Sequence, residues 1–151
     1  MNRIFIISSF FLNLIQDTIS IHTNNSCKLL EEHEHTFSMA YHLKDNVIKY
    51  NLASLEKMKE NSPLKHLSDE EFFEVCIYHE LGHYLDYKKN QDRHSVRMEN
   101  DYPELEFKFI GEQNAWRYGK EIIPPYRTEF SKNFDKLNES NIAFWTTNRM
   151  K

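Results

Sequence analysis

Ser68–Lys89 reads SDEEFFEVCIYHELGHYLDYKK, and this stretch decides the fold. Ser68 followed by Glu71 is a capping box, in which the serine side chain and the N3 glutamate satisfy each other's backbone amides. Leu67 and Phe72 stand at the two hydrophobic staple positions. Asp69, Glu70 and Glu71 place negative charge at the positive end of the helix dipole, and Lys88 and Lys89 place cations at the other end. Between these signals the residues are apolar almost all round, which marks a buried helix.

The middle of that helix is His79-Glu80-Leu81-Gly82-His83, an HExxH motif. Residues i and i+4 lie about 6 Å apart along a helix axis and about 40° apart around it. Two imidazoles so placed converge on one zinc ion at about 2.0–2.1 Å per Zn–N bond. Glu80 lies about 100° round from His79, where it reaches a water on the metal. Zinc lowers the pKa of that water to about 7, and Glu80 then serves as the general base of amide hydrolysis. A shuffled chain of this composition would contain HExxH in roughly 4% of cases. The buried helical context adds weight, because two histidines and a glutamate there are costly without partners. Gly82 adds more: glycine inside a helix costs about 1 kcal/mol relative to alanine, and a closely passing backbone would explain it.

A catalytic zinc takes three protein ligands and keeps one position open. The extended pattern HExxHxxGxxH fails here, since Asp86 and Lys89 stand where its glycine and last histidine belong. Glu112 is the leading candidate for the third ligand. It sits in the first turn of a helix predicted over Gly111–Ile123, with Ala115, Gly119 and Ile122 on its face, small enough in part for close approach to the HExxH helix. Its alternative role is an N-terminal carboxylate on the helix dipole. His94 is the second candidate, ahead of Glu99, Asp101, Glu104 and Glu106. Asp86, three residues after His83, is a candidate to accept a hydrogen bond from a ligand imidazole, or else a solvated carboxylate near the helix end. Cys76, one turn before His79, reads as a small core residue.

Upstream, Thr36–Leu43 alternates with Phe37, Met39, Tyr41 and Leu43 on one face, Asp45-Asn46 is a turn, and Val47, Ile48 and Tyr50 continue a hairpin. Leu52–Glu60 is a short helix. Ile19 and Ile21 suggest a short strand before the turn Asn24-Asn25-Ser26. The cluster Glu31, Glu32, His33, Glu34, His35 reads as a solvated strand or loop. Ile4–Ile15 is too short to span a bilayer, which needs about 20 apolar residues. It reads as a first helix on the core, with a signal or anchor core as the alternative. Downstream, Asn90–Tyr102 is polar and loop-like, and Leu105, Phe107 and Phe109 alternate as in a strand. Pro124-Pro125 stops the second site helix. Residues 126–151 form a polar tail whose Phe130, Phe134 and Leu137 mark a short amphipathic helix. The fold expected is α+β: a small two- to three-stranded antiparallel sheet packed on helices that include the HExxH helix. Residues 1–125 form the metallopeptidase-like domain, with residues 1–18 as its N-terminal helix or anchor.

The 151 residues suffice for one domain with a core. Nineteen Lys and Arg against 23 Asp and Glu give a net charge of −4, with no dense basic cluster. That disfavours direct nucleic-acid binding. Two isolated cysteines provide neither a disulfide framework nor a cysteine zinc site, which suits a cytoplasmic setting. Three glycines argue against phosphate-cradling and dinucleotide motifs.

The order of a two-stranded piece ending Val47-Ile48-Lys49-Tyr50-Asn51, a helix carrying HELGH, and a helix opening Glu112-x-x-Ala115-Trp116 resembles the ImmA/IrrE family of zinc metallopeptidases, over about Thr36–Pro125. The resemblance implies zinc bound by His79, His83 and Glu112, with Glu80 as base. It also implies a protein substrate, of which a helix-turn-helix transcriptional repressor is the family's usual example. Two other readings stand beside it: an SprT-like protease with His94 as third ligand, and a non-catalytic regulatory module with structural zinc.

Overall fold

The computed structural model describes residues 5–34, 37–92 and 104–149, without the side chains of 104–105 and 145–149. Its elements run α1 (Ser9–His22), β1 (Lys28–Glu31), β2 (Met39–His42), β3 (Val47–Tyr50), α2 (Leu52–Glu60), α3 (Asp69–Lys89), α4 (Glu104–Glu121) and α5 (Thr128–Arg149). The fold is α+β, a small sheet packed on helices.

The sheet order is β1-β3-β2. The β2–β3 hairpin is antiparallel as expected, with Tyr41 opposite Ile48, and its turn carries Asn46 at a φ of 54°. β1 joins parallel to β3, so the sheet is mixed. Glu31 falls in β1, and Glu32 to Glu34 follow it, while His35 lies outside the described residues.

α3 is the central element. Half of the predicted capping box is formed: Ser68 Oγ accepts from the Glu71 amide at 3.1 Å, without a return bond from the Glu71 side chain. Phe72, Phe73, Val75, Ile77 and Leu81 are completely buried along it. Around it the core gathers Ile15 and Ile19 from α1, Ile48 from β3, Leu55 from α2 and Phe134 from α5.

The first-turn carboxylates of α3 fasten two other parts of the chain. Asp69 Oδ2 accepts from the Ile6 amide at 3.0 Å, and Asp69 Oδ1 accepts from the buried Lys59 ammonium at 3.0 Å. Glu70 Oε2 accepts from the Ser8 amide and hydroxyl at 3.0 and 2.9 Å. The N-terminal apolar run thus has its own place: Phe5 is buried with its ring edge-on to Phe72. No helix among the described residues is long and apolar enough to cross a membrane.

The sheet, expected to be antiparallel throughout, is mixed because β1 runs parallel to β3, and three further expectations change. Ile19 and Ile21 belong to α1, not to a strand, because Ile15 and Ile19 share one buried helix face four residues apart. That helix ends where Asn24 and Asn25 take φ values of 52° and 61°. Leu105, Phe107 and Phe109 open α4 instead of forming a strand, so Gly111 lies inside the helix and Glu112 is not in its first turn. Phe109 is buried there. The tail helix is longer than expected, at 22 residues, and buries Phe130, Phe134 and Leu137. Arg127 just before it forms a two-pronged pair with Glu74 of α3, at 2.8 Å for each contact.

Candidate metal centre

α3 and α4 touch closely because the sequence leaves two positions without side chains. A β-carbon at Gly82 would collide with the Ala115 carbonyl, and one at Gly119 with the Tyr78 carbonyl. Ala115 is completely buried at this crossing. With the axes so close, Glu112 on α4 reaches the two histidines on α3 without crossing a gap.

The geometry is compact. Glu112 Oε1 lies 3.1 Å from His83 Nε2 in a hydrogen bond, and Glu112 Oε2 lies 3.1 Å from His79 Nε2. Glu80 Oε1 is 3.9 Å from His79 Nε2. Single ligand atoms of His79, Glu80 and His83 lie within 4.8 Å of one another. The two imidazoles stand edge to face with centroids 4.7 Å apart, and Trp116 stacks on the His79 ring at 4.0 Å. The cluster is largely buried, with side-chain exposures of 14% for His79, 6% for Glu80, 25% for His83 and 17% for Glu112.

Electrostatics follow from this packing. Burial alone would raise the Glu112 carboxyl, but the neighbouring imidazoles outweigh it and hold the group well below the usual carboxylate range. Burial alone would lower the His83 imidazole; the Glu112 hydrogen bond and the Glu80 and Glu112 charges outweigh it and hold it near 9. Burial dominates at Glu80 and pushes its carboxyl up, against the pull of His79 and His83.

The donor set fits a zinc ion. Two imidazoles and a carboxylate from separate turns converge, which is a standard catalytic zinc set. His79 Nδ1 and Glu80 Oε2 are buried without hydrogen-bond partners, and such atoms cost about 1–3 kcal/mol each when left unpaired. A cation beside Glu80 would serve its free oxygen.

The remaining candidates separate clearly. Asp86 is buried and accepts from the side-chain amides of Asn90 and Asn114, both at 2.9 Å. Its charge also reaches His83, raising that group. Glu106 lies on α4, six residues before Glu112. His94, Glu99 and Asp101 lie outside the described residues, as does the side chain of Glu104. Cys76 is a free, buried thiol one turn before His79.

Sequence reasoning gave no role to Trp116, which holds the His79 ring, nor to Asn141, whose Oδ1 accepts from Trp116 Nε1 at 3.2 Å. The signal was present in Glu112-x-x-Ala115-Trp116, because i and i+4 share a helix face.

Two clefts flank the cluster, one of about 880 Å³ on the His79 and Trp116 side and one of about 350 Å³ on the His83 side. Met39, Glu80 and Glu112 line both, so the cluster lies between them beside the edge strand β2. No family model matches the chain, and no curated protein or solved structure matches it significantly.

Proposed function

We propose that this chain is a zinc-dependent endopeptidase acting on a protein substrate, with His79, His83 and Glu112 as zinc ligands and Glu80 as general base. The observation that carries the reading is the convergence of Glu112 from α4 on both motif histidines, at 3.1 Å each. An isolated HExxH helix does not produce that arrangement by itself; a second helix had to supply a carboxylate at the right height.

Zinc held there would supply Lewis acidity and bring the pKa of an attacking water near 7. Glu80 takes the proton as the water oxygen attacks the carbonyl carbon. It returns that proton to the departing amine as the C–N bond breaks. An extended peptide laid beside β2 would present its carbonyl to the cluster, with flanking side chains in the two clefts.

The resemblance to ImmA/IrrE peptidases extends this proposal to a DNA-binding repressor as substrate and a cytoplasmic setting, with no direct contact to nucleic acid. The test is digestion of a peptide library, with new termini read by mass spectrometry. We expect cleavage by the zinc-loaded protein, loss with a chelator, and loss of about 10²–10⁴-fold in rate for Glu80→Gln, the usual contribution of a general base. Equal cleavage by Glu80→Gln would contradict the assignment.

A second reading has a specific observation behind it. Glu80 lies within ligand distance of the histidines. If Glu80 and Glu112 both bound zinc, four protein ligands would close the site, as in structural zinc centres. Glu80→Gln would then lose zinc as well as any activity.

A further inference from the structure

Beside residues of the cluster itself, the larger cleft is lined by side chains from β2, α2 and α5. Leu137, Ser140, Asn141 and Phe144 line it from α5, at i, i+3, i+4 and i+7, so one whole face of that helix is turned toward it. Met58 of α2 stands on its wall, and Trp116 forms its floor beside His79. Met58 and Phe144 are 37% and 60% exposed, so large apolar groups from two separate helices stand at the mouth. Among the described residues, the only charged side chains lining the cleft are Glu80 and Glu112, both belonging to the proposed zinc cluster. At about 880 Å³ it has the size of a cavity that takes a ligand larger than one small side chain.

We infer that this cleft is a specificity pocket for a large, uncharged apolar residue of the substrate, Phe or Leu, adjoining the bond that is cut, and that α5 is the element that sets the preference. The inference rests on the peptidase reading of the same site. Apolar walls gain from burying an apolar side chain. A charged side chain would lose its hydration among these apolar walls. Asn141 fixes Trp116 through its 3.2 Å hydrogen bond, so the pocket wall and the His79 ring are mechanically joined.

The test separates binding from cleavage. Zinc-loaded Glu80→Gln full-length protein is titrated with acetylated Ala-Ala-Xaa-Ala-Ala amides, Xaa being Phe, Leu, Ala, Asp or Lys, followed by NMR at the Trp116 indole N–H. We expect the Phe and Leu peptides to bind at least about tenfold tighter than the Asp and Lys peptides and to shift the indole signal. Adding Ser140→Trp, at an exposed position on the cleft face of α5, removes the difference between Phe and Ala. Adding Phe144→Ser weakens the Phe peptide. Equal affinities, no measurable binding of the Phe peptide, or a preference that survives both substitutions overturns the inference. Wild-type protein is then mixed with the same peptides. Binding with the expected preference but no cleavage contradicts the peptidase reading and leaves the pocket. Cleavage of all five at one rate leaves the peptidase and overturns the pocket.

Discussion

At Gly82 the chain has no room for a single carbon. The added atom would meet the backbone of Ala115, within 2.6 Å of its carbonyl carbon, and not the flexible end of a side chain. Gly82→Ala should therefore destabilise the fold by about 1–3 kcal/mol or more, as overpacking does, despite alanine's better helix propensity. Urea unfolding checks this. Ala115→Gly should not rescue it, since the clash is with main chain; rescue would contradict the packing described. Cys27 gives a second prediction. Burial pushes its thiol up to about 11, against the pull of the Ile48 backbone and Lys28. An ordinary thiol in the unfolded chain ionises near 9. The folded state therefore binds the proton more tightly, and the stability this contributes is complete below pH 9 and is lost as pH rises towards 11. Cys27→Ala, unfolded with urea at pH 8 and pH 10.5 beside wild type, should lose less by about 1–2 kcal/mol, since pH 10.5 lies between the two values; equal losses would contradict it.

Among the elements, α5 changes most between sequence and structure. Its Phe134 is completely buried, edge-on to the Trp116 ring at 4.8 Å. Trp116 in turn stacks on His79. Phe134→Ala should cost about 3–5 kcal/mol, the range for emptying a buried phenylalanine site, measured by denaturant midpoint. A cost below about 1 kcal/mol would mean that α5 is not part of the core. Helix ends were legible where caps are chemical. Asn51 and Ser68 cap α2 and α3, each accepting from an amide three residues on, and both helices begin where the sequence predicts. β1 was not legible, because four residues with one half-buried position carry no alternation to read. The start of α4 was misread because alternating Leu105, Phe107 and Phe109 mimic a strand over a span too short to show a helical period. Three of the four cluster residues were legible from one local motif. Glu112 was legible only as one of several candidates, since its distance from His83 is set by how two helices cross.

For the whole molecule, the two site helices and the elements around them serve one arrangement. Lys59 and Asp69 join α2 to the start of α3, Glu74 and Arg127 join α3 to the start of α5, and the glycines bring α4 against α3. The cluster of His79, Glu80, His83 and Glu112 sits between two clefts and beside an edge strand. The central claim is that the third ligand comes from α4. It is tested most directly by the zinc content, by elemental mass spectrometry, of purified wild type beside Glu112→Ala, His94→Ala and Glu80→Gln, all checked for fold by circular dichroism. One zinc per chain is expected in wild type, His94→Ala and Glu80→Gln, and loss of zinc in Glu112→Ala. Zinc retained by Glu112→Ala and lost by His94→Ala would contradict the account.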